Sequence, residues 1–262
     1  MSIILTPFEH GALCHGSTWT VEDEDVLADQ IARIALGQSR HVQRILAGAN
    51  FGPSPTTANA ASGAIDLLTA AGEDPWHRDG WMFQAMSWIA AHGATPGGII
   101  RSPHMILAHK GFDGLQLELD NNTGAVIAAI IFEDKATDNP RDTIRDDVWP
   151  EFAKLEAGDR ENVLTAEVSA LLQTQADIDP DIAIQNVIWK QARHYRISIT
   201  IGETHSNEAG RLRLFRDYDT VAGGAVKRRR GETFYVQNLR QWMDGLAKKS
   251  IVAVQAKAMV DV

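Results

Sequence analysis

Eight apolar residues, Ala125-Val-Ile-Ala-Ala-Ile-Ile-Phe132, run directly into three charged ones, Glu133-Asp134-Lys135. The run is too short to span a membrane and is rich in β-branched side chains, so it reads as a strand. A strand with no polar position must be buried on both faces, which requires a sheet covered by helices on either side. Its charged exit then falls at a strand end, where ligand sites of α/β sheets gather.

The flanking sequence supplies that sheet and its cover. Asp120-Asn-Asn-Thr-Gly124 is a hairpin turn, Leu115 to Leu119 alternates as the preceding strand, and Ile99 to Ala108 reads as extended. Tyr195 to Ile201 alternates cleanly and gives a further strand. Helices are expected over Val21–Leu36, with its start at Thr20, and over His41–Ala49, Thr57–Ala71 and Asp79–Ala91. Asp138-Asn139-Pro140 opens another over Arg141–Leu155, bent near Pro150, followed by Glu161–Gln173 and Asp181–Lys190. Arg211 to Arg230 reads as irregular and Phe234–Lys249 as a closing helix. The expectation is one α/β domain, with a helical N-terminal region over 1–75, a core over 76–202 and a C-terminal addition over 203–262.

A hydrophobic content of 44% suits a packed core, and nothing in the chain has the length and apolarity of a membrane span or the layout of a signal peptide, so no membrane association and a cytoplasmic location are expected. The lone Cys14 excludes an internal disulfide and a cysteine-type zinc site. A net charge of −9 argues against a protein that coats nucleic acid with its whole surface, yet leaves room for a local basic cleft. The densest basic run, Lys227-Arg228-Arg229-Arg230, lies between Gly223-Gly224 and Gly231 and reads either as a solvated loop or as a phosphate contact. The nine histidines show no pair at metal-ligand spacing on a helix, and the glycines near Gly97 and Gly223 lack the lysine of a nucleotide-binding loop. Trp76, Trp81 and Trp88 read as core.

Glu133 and Lys135 alone mean little. With 34 acids in 262 residues and eight lysines, roughly one acid two places before a lysine arises by chance, and one occurs. The context carries more. Residues 133 and 135 share a strand face, while Asp134 points the other way. Asp113, in Phe112-Asp113-Gly114 at the head of the preceding strand, belongs at the same sheet edge. Asp113 and Glu133 suit Mg²⁺ or Mn²⁺, with Asp134 as a third ligand through its backbone carbonyl and a weaker one through its side chain. Lys135 would either stabilise charge on a phosphodiester or help deprotonate the attacking water. Gln84 is placed to orient that water, and Arg141 and Arg145, at a helix start, to meet a phosphate. The bland alternative is a turn at Asp113-Gly114 and a surface ion pair between Glu133 and Lys135.

Helix, three strands with a tight turn between the last two, helix, then strand: from about Asp79 to Ile201 this order resembles the PD-(D/E)XK nuclease superfamily. Asp113-Gly114 and Glu133-Asp134-Lys135, 20 positions apart from acid to acid, fall where that family carries its motif. Gln84 departs from the glutamate often found on the family's first core helix. The resemblance implies a restriction-endonuclease-like core, a central mixed sheet flanked by helices, and a metal-dependent nuclease acting on DNA. Many single-domain members serve prokaryotic restriction or anti-phage defence, and a helicase or regulatory subunit would be a fitting partner. A non-catalytic nucleic-acid-binding or partner-recognition subunit on the same fold is the alternative, and a protein-interaction domain is another.

Overall fold

The computed structural model describes residues 2–258, except 50, 51, 53, 73, 97, 107–110, 121, 124, 174 and 176–191. The helix expected over Asp181–Lys190 lies outside the described residues.

The sheet has seven strands: β1 (Ile3–Glu9), β2 (His15–Val21), β3 (Ile99–Ile100), β4 (Gly114–Leu119), β5 (Val126–Lys135), β6 (Arg193–Ile201) and β7 (Arg229–Tyr235). Their order across the sheet is β1-β2-β7-β6-β5-β4-β3. β3, β4 and β5 form an antiparallel meander, β5, β6, β7 and β2 run parallel, and β1 pairs antiparallel with β2. The protein is therefore α/β with a mixed sheet, and β5 sits well inside it, as its apolar sequence demands.

Side-chain alternation along β5 builds two cores. Ile130 and Phe132 join Trp19 and Phe234 beneath α1 (Glu24–Ala35), α3 (Ala58–Leu68) and α4 (Trp76–Ala94). Ile131 joins Leu115, Tyr195 and Ile197 on the other face, with residues of α6 (Trp149–Glu156) and α7 (Glu161–Leu172). α2 (Ser39–Leu46) is a separate helix that packs on α1, and Thr57 caps α3 by accepting the amide of Ala60 at 3.2 Å. The hairpin turn between β4 and β5 is held by Asp120, whose carboxylate accepts the amides of Asn122 and Thr123.

The N-terminal region is not wholly helical. It opens with the β1–β2 hairpin, and Thr20 is a strand residue. Asp23 caps α1 instead, its carboxylate accepting the amides of Asp25 and Val26 at 2.9 and 3.0 Å. Trp76, expected in the core, is 60% exposed, whereas Trp81 and Trp88 are buried.

The 203–262 region is likewise more than an addition, because β7 lies between β2 and β6 and completes the sheet. Before it come α8 (Glu208–Leu214) and the single turn α9 (Tyr218–Val221); after it α10 (Leu239–Ala258) packs on α1 and α3. The expected start of that helix at Phe234 falls inside β7.

After α5 (Pro140–Thr143) the helix widens into a π turn over Ile144–Val148 before α6 resumes. Pro150 has no amide to offer the carbonyl one turn back, and the wider turn accommodates that loss. No helix among the described residues is long and apolar enough to cross a membrane.

At the β2–β7 junction, a side chain at Gly231 would bring its Cβ within 2.6 Å of the Phe215 ring. Gly231→Ala is expected to lower stability by about 1–3 kcal/mol through overpacking, read as a reduced urea midpoint at unchanged slope.

Candidate active site at the exit of β5

β5 runs three residues past its apolar stretch, so Glu133, Asp134 and Lys135 are still held in the sheet and paired with Ile197, Ser198 and Ile199 of β6. Gly114, opposite Phe132, opens β4 and brings Asp113 to the same edge. The glycine is needed there, because a Cβ would lie 2.6 Å from the Phe132 ring.

Asp113 is fixed on both oxygens. Its Oδ2 accepts the backbone amide of Asp134 at 2.8 Å, and its Oδ1 accepts the Gln84 side-chain amide from α4 at 2.7 Å. Lys135 Nζ stands 2.9 Å from Glu133 Oε2 and 3.8 Å from Asp113 Oδ2, so one ammonium serves two carboxylates. A separation beyond about 12 Å would have ruled out a shared metal and water. Gln84, Asp113, Glu133 and Lys135 thus come together. At 18%, 12% and 29% side-chain exposure respectively, Asp113, Glu133 and Lys135 are sheltered yet reachable from solvent.

The electrostatics follow from one cation among buried acids. Burial pushes the Asp113 carboxyl up to about 6 against the pull of Lys135. Glu133 rises to about 7, through burial and then the neighbouring Asp113 charge. Burial opposes the charge on Lys135, but Glu133 and Asp113 outweigh it and hold the ammonium above its ordinary range.

Asp134 differs from its neighbours, as strand alternation requires. Its side chain lies on the α4 face, where Ser87 Oγ donates to it at 2.7 Å, and it is 5% exposed. Its carboxylate thus points away from Glu133 and Lys135, as expected of the weaker ligand candidate, and it is buried where a solvated strand-end charge was the plainer expectation. Among the described residues no group of three or more acids, histidines or cysteines is gathered to hold a cation. A two-carboxylate site fits better. Mg²⁺ commonly takes one or two carboxylates with water and substrate phosphate, and Asp113 and Glu133 have carboxyls raised by burial, which a cation would relieve.

The expected phosphate contacts divide. Arg141 donates to the carbonyls of Leu214 and Arg216 and to Asp217, tying α5 to the α8–α9 corner. Arg145 is half exposed and paired with Asp142 and Asp146. Neither stands free to receive a phosphate. In the basic run, Arg228 is buried against Glu156, and Arg229 donates to the carbonyls of Ala12, Leu13, Ala222 and Gly224. Their expected role in nucleic-acid contact gives way to a structural one, because β7 begins inside the run. Lys227 is exposed, and Arg230 pairs with Glu232 at 2.6 Å.

Sequence reasoning missed the layer behind the site. Arg101 reaches the Phe112 carbonyl and pairs with Glu167 at 2.6 Å, bracing the turn that carries Asp113. Ser87, Ser198 and Arg196 surround Asp134, with Arg196 Nη1 donating to Ser87 Oγ at 3.1 Å. The signal was the alternation of β6, whose polar positions are buried beneath α4 rather than turned to water.

The raised carboxyls set a sign for pH dependence. The folded state holds protons on Asp113 and Glu133 that the unfolded chain has released, so stability is lost as pH rises from the ordinary carboxylate range through about 7. In Glu133→Gln the fall in unfolding free energy between about pH 4 and about pH 8 is expected to shrink by roughly 1–3 kcal/mol, measured by urea unfolding at both pH values. Arg228→Ala, which removes a cationic partner of buried Glu156 and leaves it the Tyr195 hydroxyl, is expected to cost about 3–5 kcal/mol of stability in the same assay.

No family model matches the chain, nor does any curated protein or solved structure.

Proposed function

We propose that this chain is a metal-dependent nuclease built on a restriction-endonuclease-like core, with DNA as its substrate. The observation that carries the reading is the Lys135 ammonium poised between the Asp113 and Glu133 carboxylates at the end of a buried strand. Its support in the fold is the order of α4, the β3–β4–β5 meander, the α5–α6 helix and parallel β6, which follows the order of the PD-(D/E)XK core.

In this reading Asp113 and Glu133 hold Mg²⁺ or Mn²⁺. The bound cation supplies a lowered pKa for the attacking water and neutralises charge on the phosphate. Gln84 and the Asp134 amide keep the Asp113 carboxylate in one orientation, so its geometry does not have to be organised during the reaction. Lys135, whose ammonium stands between the two acids, would serve as an electrostatic donor to the scissile phosphate.

A second reading, a non-catalytic binding subunit on the same fold, is favoured by Gln84, which puts a neutral amide against Asp113 in place of a third carboxylate. Both readings leave a role in restriction or anti-phage defence, and a helicase or regulatory partner, as proposals.

Cleavage of labelled single-stranded DNA, duplex DNA and RNA with Mg²⁺ or Mn²⁺ separates them. Wild type is expected to cut DNA only with metal, and Asp113→Ala and Lys135→Ala to lose about 10²–10⁴-fold in rate. Lys135→Arg is expected to retain more activity than Lys135→Ala, since charge is the property required. Salt-sensitive binding without cleavage on every substrate would instead select the non-catalytic reading.

A further inference from the structure

A second polar cavity lies on the α4 face of the sheet, away from the acidic edge. His15 of β2, Glu118 of β4, Ile130 of β5, His194 of β6, and Lys227 and Arg230 at the entry to β7 line it. Strand register makes this grouping: His15 stands opposite Arg230, and His194 opposite Ile130. Ile130 precedes Glu133 by three residues, so the cavity is about 10 Å down the strand, and it opens on the opposite face from Glu133 and Lys135. Its volume of about 110 Å³ holds a few waters or one small anion, and not a nucleoside.

The walls carry more positive charge than they neutralise. Lys227 is exposed and forms no ion pair among the described residues. Arg230 spends only its Nε on Glu232, which leaves the two terminal nitrogens of its guanidinium. That glutamate is already shared: its Oε2 accepts from Trp19 Nε1 at 2.9 Å, and its Oε1 stands 3.9 Å from Arg196 Nε. Glu118 is the one acid in the lining, and its side chain is exposed. Beside these cations His194 is 5% exposed. Burial, then the charges of Lys227, Arg228 and His15, lowers its pKa to about 4 and leaves a neutral imidazole with a proton to donate.

We propose that this cavity binds a tetrahedral oxyanion of phosphate type, received by the Arg230 terminal nitrogens and Lys227 Nζ, with the His15 and His194 imidazoles as further donors. A planar guanidinium takes two oxygens at once and the lysine supplies a point charge, while the histidines approach from the neighbouring strands. The ligand is either free phosphate or the terminal phosphate of a polynucleotide whose sugar remains outside. The assignment stands independently of cleavage at the acidic edge.

The test is calorimetric titration of the full chain, without divalent cations, using inorganic phosphate and a short deoxyoligonucleotide bearing either a 5′-phosphate or a 5′-hydroxyl. Saturable phosphate binding is expected, weakened about tenfold or more in Lys227→Ala and in Arg230→Gln. Arg230→Gln removes a partner of buried Glu232 and its fold must be checked by circular dichroism; exposed Lys227→Ala is the deciding variant. A tenfold preference for the 5′-phosphorylated strand that Lys227→Ala abolishes assigns the ligand to a nucleic-acid end. Equal binding of both strands, with phosphate binding intact, assigns it to free phosphate. No saturable heat with phosphate or phosphorylated strand in folded wild type, or affinities unchanged in Lys227→Ala, overturns the proposal.

Discussion

Everything in this molecule is arranged around a strand that is almost wholly buried. From Val126 to Phe132 only Ile127 of β5 is exposed, so helices must lie on both faces and further strands on both edges. The meander to one side is local in sequence, because a tight turn suffices for an antiparallel neighbour. On the other side β6 is parallel and needs the crossover built from α5, the π turn, α6 and α7. The charged exit of β5 is thereby presented at an edge whose position the hydrophobic effect has already determined.

A second level of order is polar and buried. Asp134, Ser87, Arg196, Glu232 and Trp19 form a contiguous set across the α4 face of the sheet, each within hydrogen-bonding or ion-pairing reach of the next, and Ser198 joins it at Ser87. Arg196 also lies over the Phe132 ring at 4.3 Å and the Trp19 ring at 5.5 Å, so its charge is spread among aromatic faces as well as Glu232. Within it Ser87 ties α4 to Asp134 of β5 and to Arg196 of β6, so a shift of the helix over the strands would break buried polar contacts. The same helix carries Gln84 to Asp113. The orientation of the acidic edge and the packing of the core are thus consequences of one docking event.

The reading from residues alone located what depends on local pattern. β4, β5 and β6, the hairpin turn between β4 and β5, α1 through α4 and the convergence of Asp113, Glu133 and Lys135 all leave period-two, period-3.6 or turn-residue signatures. It failed where burial was supplied by distant chain. Lys227-Arg228-Arg229-Arg230 looks like a solvated basic loop until Glu156, the Ala12 and Leu13 carbonyls and Glu232 are brought to it. His15 to Val21 was hidden for a related reason: Gly16, Ser17 and Thr18 weaken the apolar alternation, and the small residue at Gly16 is required by the approach of the Gly231 backbone. Charge and small size are ordinarily loop signals, and only tertiary partners reverse them. Arg141 was misjudged likewise, since its carbonyl acceptors lie more than seventy residues onward.

The place of β7 has a consequence for how the chain reaches this state. β2 and β6 flank it on either side, so two otherwise open strand edges remain until residues 229–235 arrive between them. The β2–β7 pairing joins His15 to Arg230, 215 positions apart in the sequence. Sheet completion is therefore a late, high-contact-order step with a large loop-closure cost. During synthesis the N-terminal hairpin emerges long before its parallel partner, and until then the exposed edge of β2 is a surface on which mispairing with another chain competes with correct folding.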